Sequence, residues 1–321
     1  MRIILFFTII LALGINTNAQ CFGSPGNPVA GTSNAGSLQK KLFRTSLYHR
    51  YSYSDTYRTG SKITGFSLYE KANYNYLGLT LAYGLTDKIT IESETGYFVN
   101  KTIHYNSSLI LPESEYTKSG FGLSHTLISL KYLIIPDNKH PIRWAIGAGG
   151  RIPLRQQPQY ENNSLLPQDV QPSNMAFGIA LQSFFVHENS FKGRRIFLIN
   201  RYEYYFENSQ QFQWGQVLYN SLFYSKRLHF KQQWLTENWT GILQLRHEYR
   251  THNYNYLLTS PKVAGSGNNL IFITPQLNYT HHEILNISFL ADIPVYQYYN
   301  ETQLSNKFSF TLNITRDFPP K

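Results

Sequence analysis

The stretch YNYLGLTLAYGLTDKITI, residues 74–91, decides the fold. Its large apolar residues take every second position: Leu77, Leu79, Leu81 and Tyr83. Small or polar residues stand between them, and this period of two puts the apolar side chains on one face of a β-strand. A short turn follows, because Gly84 tolerates the dihedral angles of a tight turn and Asp87 can hydrogen-bond the backbone there. The stretch therefore predicts an antiparallel hairpin with one apolar face.

The same alternation recurs in other parts of the chain. It runs through residues 126–134, 142–149, 175–182, 243–246 and 285–295. In a membrane-spanning barrel each strand alternates lipid-facing apolar residues with lumen-facing polar or small residues. We expect strands near residues 40–53, 73–84, 88–98, 120–134, 141–152, 174–187, 194–206, 215–228, 233–250, 269–280, 283–297 and 306–318. The sequence therefore predicts an all-β chain folded as a transmembrane antiparallel up-and-down β-barrel of about 12 strands.

The connections between these strands alternate in length. The long ones cover residues 54–72, 99–119, 153–173 and 251–268, and the short ones cover 85–87, 135–140, 188–193, 229–232 and 281–282. Long loops on one side and short turns on the other are typical of outer-membrane barrels. A soluble β-sandwich has no reason to keep such an order. An even number of strands also puts both chain ends on the short-turn, periplasmic side.

The N-terminus predicts export. Met1-Arg2 precedes an almost wholly apolar run, Ile3–Ile15, and the small residues Thr17-Asn18-Ala19 follow. This order is typical of a secretory signal peptide, which we place at residues 1–19. The run is shorter than the about 20 apolar residues of a spanning helix. The predicted location is the cell outer membrane.

The mature N-terminus leaves two alternatives open. Residues 20–37 are rich in Gly, Pro, Ser and Asn, so they could form a small plug inside the barrel or a loose periplasmic N-terminal segment. Cys21 could be lipidated or stay an unpaired thiol, since Gln20 stands where lipoprotein processing normally needs a small residue. A single cysteine excludes an intramolecular disulfide. The barrel itself is expected over residues 38–318, with a C-terminal tail at 319–321.

The last strand predicts a partner in assembly. Counting back by twos from Phe318 gives Arg316, Ile314, Leu312, Phe310 and Phe308. An apolar alternation that ends on an aromatic residue resembles the signal that the outer-membrane assembly machinery recognises. Pro319-Pro320-Lys321 follow the aromatic residue here, so the match to that signal is imperfect.

Composition alone fits both a secreted β-protein and an outer-membrane barrel. Aromatic residues make up 16% of the chain, with 25 Tyr. Tyrosine clusters at the long-loop ends of strands predict an interfacial girdle against outer-membrane lipid: Tyr48, Tyr51 and Tyr53, then Tyr202, Tyr204 and Tyr205, then Tyr296, Tyr298 and Tyr299. The formal charge of +10 does not predict nucleic-acid binding, since an exported chain seldom meets nucleic acid.

A series of short motifs resembles a known family. The motifs are residues 83–91, Gly120-Phe121-Gly122, Leu130-Lys131-Tyr132 and residues 147–154. In this order they resemble the outer-membrane barrels of the meta-pathway phenol degradation family, distant relatives of the fatty-acid and aromatic-hydrocarbon channels of the outer membrane. The resemblance covers residues 73–155 and departs where Leu123-Ser124 replace the family's usual aspartate. It implies an outer-membrane barrel and, by association, a transport role.

Charged residues on the polar faces of the strands are the candidate lumen and solute-path residues. A charge on the lipid face would cost about 2–4 kcal/mol near the midplane, so these side chains should point inward. They are Arg44, Arg50, Glu92, Glu94, Lys131, Arg143, Arg151, Arg201, Glu203, Arg246, Glu248 and Arg250. The basic excess favours a pore for anions or carboxylate-bearing solutes. Together with what the resemblance implies, the expected function is a passive channel for a small hydrophobic or anionic solute. Arg–Glu pairing, such as Arg246 with Glu248 or Glu203, would instead indicate a closed structural or surface-binding barrel.

Nothing in the sequence predicts catalysis, a metal site or a cofactor. The strand-borne His-x-Ser pair of outer-membrane phospholipases does not occur. Ser124-His125 are adjacent, which should place the two side chains on opposite faces of a strand. His281-His282 fall in an expected turn with poor geometry for a shared metal ion. The sequence defines neither the solute nor the oligomeric state.

Overall fold

Twelve antiparallel strands close into a barrel in the computed structural model, which describes residues 36–108, 116–136, 141–161, 163–189, 193–228 and 238–320. They are β1 (Phe43–Ser54), β2 (Tyr69–Gly84), β3 (Ile89–Tyr105), β4 (Thr117–Ile135), β5 (Ile142–Pro153), β6 (Gly178–Asn189), β7 (Arg194–Tyr205), β8 (Val217–Arg227), β9 (Trp239–Arg250), β10 (Asn268–His281), β11 (Leu285–Ser305) and β12 (Phe308–Phe318). Each strand pairs with the next along the chain, and β12 pairs with β1 to close the ring. The predicted all-β, up-and-down barrel is confirmed.

No described helix is long and apolar enough to cross a membrane.

The two faces of the wall follow the alternation in the sequence. In β2, Leu77, Leu79 and Leu81 lie on the outer face and are 36–39% exposed. Tyr76 and Ala82, on the alternate positions, are buried on the inner face. Because successive side chains of a strand point to opposite faces, the apolar set of the opening stretch faces outward and the packed interior is the lumen.

Several strands extend beyond their predicted ends, among them β2, which begins at Tyr69 and not at residue 73. β3 continues to Tyr105, and β4 begins at Thr117, so both reach into the loop expected at 99–119. β11 runs to Ser305 because its protruding half pairs with Thr56–Gly60, a short strand inside the loop expected at 54–72. This pairing satisfies backbone groups that would otherwise project unpaired beyond the barrel rim.

The predicted start of β9 near residue 233 lies in 229–237, outside the described residues, and the strand is described from Trp239. Another strand begins later than predicted. β6 begins at Gly178 and not near residue 174, since the preceding residues belong to the connection from β5. Boundaries of this kind depend on where loops pack, which alternation alone does not reveal.

The connection between β5 and β6 folds into the barrel. It contains a small hairpin, Tyr160–Glu161 with Ser164–Leu165, and a 3-10 turn, Gln168–Val170. Val170 is fully buried against β4, where Gly120 makes room for it. A Cβ at position 120 would lie 1.9 Å from the Val170 carbonyl oxygen. Only glycine therefore permits this close approach.

Two apolar clusters occupy the two ends of the interior. The cluster at the long-loop end comprises Tyr57, Tyr69, Ala72, Ile103, Leu166, Val170 and Leu304. The cluster at the short-turn end comprises Leu133, Ala145, Phe184, Phe197, Ile199, Phe223 and Ile242. Between these ends, charged side chains of β1, β5, β7, β9 and β11 are buried in the lumen.

Candidate functional site

The lumen brings together most of the charged residues that the sequence singles out. Eight of them are buried: Arg50, Lys131, Arg151, Arg201, Glu203, Arg246, Glu248 and Arg250. The other four are half-buried: Arg44, Glu92, Glu94 and Arg143. Because a buried charge is costly unless it is paired, the partners of these groups decide what the lumen can do.

One cluster of charges spans the lumen around Glu203. The Oε1 atom of Glu203 accepts a hydrogen bond from Arg151 Nη2 at 2.6 Å, and Arg201 Nε lies 2.6 Å from the same oxygen. Tyr205 Oη donates to the other carboxylate oxygen at 2.6 Å. Arg201 of β7 also donates to Glu94 Oε2 of β3 at 3.0 Å, although β7 and β3 are not neighbours in the ring. This cluster therefore ties two separate parts of the wall together.

A second cluster is built around Asp292 of β11. Arg50 of β1 donates to its Oδ2 atom at 2.7 Å, and Arg246 of β9 lies 3.2 Å from the same oxygen. Thr274 and Ser309 also donate to this carboxylate, at 2.5 and 3.0 Å. Side chains of β1, β9, β10 and β12 thus converge on one carboxylate of β11.

Arg–Glu pairs of the kind expected for a closed barrel do occur, but Arg246 does not pair with Glu248 or Glu203. Glu248 lies 3.3 Å from Arg250, and two arginines already surround Glu203. Arg246 therefore uses Asp292, which the sequence places on the polar face of its strand but which was not among the candidate residues. Only the strand order, which puts β9 and β11 on either side of β10, could have revealed this pairing.

Ion pairs neutralise much of the basic excess of the lumen. Arg44 makes a bidentate pair with Asp317, with both N–O distances at 2.6 Å, and Lys131 lies 2.7 Å from Glu92. Seven of the basic residues that were predicted to line the lumen pair with a carboxylate: Arg44, Arg50, Lys131, Arg151, Arg201, Arg246 and Arg250. Arg143 is half-buried at the short-turn end of β5. The lumen wall is thus charged but largely compensated.

Ser124 and His125 do not lie on opposite faces, contrary to the prediction from their adjacency. The register between β3 and β4 shifts at this point, and the Ser124 Oγ atom lies 2.9 Å from His125 Nδ1. The other ring nitrogen, Nε2, contacts the guanidinium of Arg151. Arginine can only donate, so Nε2 accepts and the neutral ring carries its proton on Nδ1. His125 therefore donates to Ser124 and cannot take its proton, which is the wrong polarity for an activated serine.

The described chain begins inside the barrel. Gly36, Ser37 and Leu38 are buried, and the Leu38 N–H donates to Thr90 Oγ1 of β3 at 2.8 Å. A Cβ at Gly36 would lie 3.0 Å from the Cβ atoms of two members of the cluster at the short-turn end, Ala145 and Phe184. Residues 1–35, which include the predicted signal peptide and Cys21, lie outside the described residues.

The apolar cluster at the short-turn end was not predicted. Phe197 and Phe223 stack inside the barrel with their ring centroids 4.2 Å apart. Both residues interrupt the alternation, since they stand within continuous apolar runs such as Ile196–Ile199 and Leu222-Phe223-Tyr224. A strand that is apolar on both faces gives such a run, and this signal could have located the cluster.

At the long-loop end, the inward-folded connection is held by polar contacts. Tyr69 Oη donates to Asp169 Oδ2 at 3.2 Å, and Lys101 Nζ donates to the Gln171 carbonyl oxygen at 3.3 Å. Burial raises the pKa of the Asp169 carboxyl to about 7, although the nearby Lys101 charge opposes this shift. The carboxyl is therefore a titratable contact between this connection and the wall.

Fold comparison places this architecture among known proteins. An outer membrane channel from Pseudomonas putida matches with a TM-score of 0.65 and 11% sequence identity, over 90% of this chain and 99% of that one. This chain has the fold of an outer-membrane β-barrel. The KdgM porin and a Pseudomonas aeruginosa FadL homologue also match, with TM-scores of 0.41 and 0.43 and identities of 10% and 8%. The KdgM match covers 85% of this chain and 99% of the porin, and the FadL-homologue match covers 87% of this chain and 91% of the homologue. No family model matches the sequence, and a search of curated proteins found no match.

The outer surface agrees with a position in lipid. Large apolar side chains all around the outer-membrane barrel are 47–54% exposed, among them Leu47, Leu130, Leu222 and Phe289. Lipid tails cover such a band in the outer membrane, with the short turns on the periplasmic side and the long loops outside the cell.

Two members of each predicted tyrosine cluster point outward as a girdle requires, and the third does not. Outward positions are taken by Tyr51 and Tyr53, Tyr202 and Tyr204, and Tyr296 and Tyr298. Tyr48, Tyr205 and Tyr299 are buried in the interior, because each stands an odd number of residues from its partners and so points to the opposite face.

Proposed function

We propose that the protein is a passive channel through which a small solute crosses the outer membrane. One observation carries the proposal: chain segments that are not part of the wall occupy the barrel at both ends. Gly36–Leu38 lie inside at the periplasmic end, and the turn Gln168–Val170 is buried at the extracellular end. Displacing either segment would break no strand–strand hydrogen bond, so the barrel can open and stay folded.

We further propose that residues 20–37 form the plug and not a loose tail. The chain at Gly36 already packs against Ala145 and Phe184, so residues 20–35 continue from a point inside the lumen. The apolar cluster there offers a surface that a short segment can cover. In the secreted chain, signal cleavage after Ala19 would leave this segment as the new N-terminus.

The charge pattern favours a hydrophobic solute over an anionic one. Seven predicted basic side chains have carboxylate partners, so the basic excess of the sequence does not create a strong anion field. The cluster of Phe184, Phe197 and Phe223 gives the periplasmic half of the lumen an apolar wall. Apolar walls with a few placed polar groups are typical of sites for small hydrophobic molecules.

The ion pairs in the lumen also favour a second candidate function, that of a closed barrel that binds partners only at its surface. One experiment separates the two. Single-channel currents are recorded in planar bilayers for the refolded mature chain and for a variant that lacks residues 20–35. We expect large, stable steps from the deletion variant, with weak ion selectivity in a salt gradient. A deletion variant that is folded by heat-modifiability but electrically silent would support the closed barrel.

We propose, finally, that the assembly machinery recognises β12 and that the protein has no catalytic role. Phe318 ends the strand on the outer face, 40% exposed, with its ring 5.8 Å from that of Phe43 on β1. The terminal aromatic residue is therefore available on the surface. The polarity of the Ser124–His125 contact supports the absence of serine chemistry.

A further inference from the structure

A row of polar side chains crosses the outer face of four successive strands. Asn200 of β7 donates to Asn220 Oδ1 of β8 at 2.6 Å. Asn220 Nδ2 lies 3.2 Å from His247 Nδ1 of β9, and His247 Nε2 lies 2.9 Å from Asn269 Oδ1 of β10. We call Asn200, Asn220, His247 and Asn269 the outer polar row.

The row lies on the side of the wall that meets lipid. Large exposed apolar residues stand near it on the same face: Leu198, Leu222, Leu245 and Ile273. The alternate positions, such as Arg201, Ser221 and Arg246, are buried in the lumen. Four adjacent strands therefore place amides and an imidazole within an apolar outer surface.

The hydrogen bonds of the row run in one direction. An amide nitrogen donates, so His247 Nδ1 accepts from Asn220 and the ring proton is on Nε2, which donates to Asn269. The three bonds reduce the cost of placing these groups in an apolar surface. They do not use the full capacity of the side chains, because each asparagine has two N–H donors and a carbonyl with two lone pairs. The row can therefore form further hydrogen bonds with a partner outside the barrel.

The chemistry of the row excludes two kinds of partner. Lipid tails offer no donors or acceptors. Lipid phosphates are usually bound by arginine or lysine, but the basic residues on outward positions of these four strands, Arg194 and Lys226, stand at the periplasmic strand ends. A neutral surface with both donors and acceptors suits the row best. Side-chain amides and imidazoles hydrogen-bond between protein elements in membranes in this way.

We propose that the outer polar row is the contact through which two copies of this chain associate in the outer membrane. Copies inserted in the same orientation can be related by a two-fold axis along the membrane normal, which brings the same surface of each to the other. Asparagine can pair with asparagine or histidine in this arrangement, since each amide both donates and accepts. The apolar side chains of Leu222 and Leu245 pack beside these Asn–Asn or Asn–His pairs. The association is independent of whether the lumen conducts.

The chain offers a matched control on the opposite side of the ring. His49 of β1 lies 3.1 Å from Asn75 of β2, and Asn75 donates to Asn100 of β3 at 2.7 Å, again among outward positions. This second set begins six strands from β7, the start of the outer polar row. It uses more of its hydrogen-bonding capacity than that row, because Asn100 Nδ2 also donates to Asn73 Oδ1 and Thr102 Oγ1, both at 3.2 Å. The double variants N220L/H247L and H49L/N75L make the same chemical change on opposite faces. Leucine suits lipid in both, so both barrels should fold, which heat-modifiability on a gel checks.

The test is the molar mass of the purified protein in mild detergent by light scattering. We expect the wild type and H49L/N75L to have twice the protein mass of N220L/H247L. In a C21S background, oxidation should crosslink copies through N220C but not through L312C, a control on the outer face of β12. A monomeric wild type, equal mass in all three proteins, or equal crosslinking at both cysteines would overturn the proposal. So would a monomer that loses bound lipopolysaccharide in N220L/H247L, since the row would then bind lipid.

Discussion

Arg201 of β7 reaches across the lumen to Glu94 of β3, with an N–O distance of 3.0 Å, while its Nε atom stays 2.6 Å from Glu203 on its own strand. The side chain therefore links strands that are separated by three others in the ring. A barrel wall needs no such link for its backbone pairing. The cross-lumen contact braces the interior, and it makes the wall depend on buried charges.

Replacing Glu203 should destabilise the barrel strongly. The variant E203Q leaves Arg151 and Arg201 buried beside a neutral amide, and removing one partner of a buried ion pair costs about 3–5 kcal/mol. The measurement is urea unfolding in detergent micelles, followed by tryptophan fluorescence. The matched control is E188Q, because Glu188 pairs with Arg195 at 2.8 Å while both are about one-third exposed. It should cost about 1 kcal/mol or less. Equal losses in the two variants would contradict the bracing role.

Glycine at position 36 should be needed to keep the N-terminal segment in place. Gly36 has a φ of +112°, and a Cβ there would lie 3.0 Å from both Ala145 and Phe184. The variant G36V therefore combines backbone strain with crowding against the apolar cluster. We expect it to raise the open probability in planar bilayers several-fold, without loss of the folded barrel. G150A is the control, since a Cβ at Gly150 meets nothing within 4 Å. Identical currents from G36V and G150A would show that the segment does not gate the lumen.

The strands and faces were more predictable than the interior. The alternation of Leu77, Leu79 and Leu81 determines which side of β2 meets lipid, and this pattern is local in the sequence. The partner of Arg246 is not local, because it depends on the position of Asp292 two strands away in the ring. No pattern of charges along one strand contains that information.

Two further misses have different physical causes. Ser124 and His125 meet because the register of β4 against β3 shifts, and a local irregularity of this kind breaks the period of two on which the prediction depended. Phe184 and Phe223 point inward as part of an apolar cluster, whereas the prediction assumed a polar lumen at every height. The proposed plug gives a reason for the exception, since the cluster contacts Gly36.

The position of the extracellular connection should depend on pH through Asp169. Burial raises the pKa of its carboxyl to about 7, above the usual value of a solvent-exposed aspartate. The inward position therefore binds a proton more readily than a displaced one, so its stability is greatest at low pH and falls as pH rises towards and through about 7. We expect the current of the variant lacking residues 20–35 to rise between about pH 5 and pH 8. Adding D169N to this variant should abolish the rise, so that the current stays at its low-pH level over the whole pH range. A rise that persists in D169N would assign the titration to another group.

Reversing one lumen charge should change the ion selectivity of the opened barrel. Arg246 and Arg50 share the carboxylate of Asp292, so R246E replaces two arginines facing one acid by two acids facing one arginine. In the background lacking residues 20–35, the reversal potential in a salt gradient should move towards cation preference, because fixed charge in a narrow pore concentrates ions of opposite sign. K226E makes the same charge change on an exposed side chain at the periplasmic end of β8 and should leave the potential unchanged. An equal shift in both variants would place the selective region outside the lumen. No shift in either would mean that ions do not pass the Asp292 cluster.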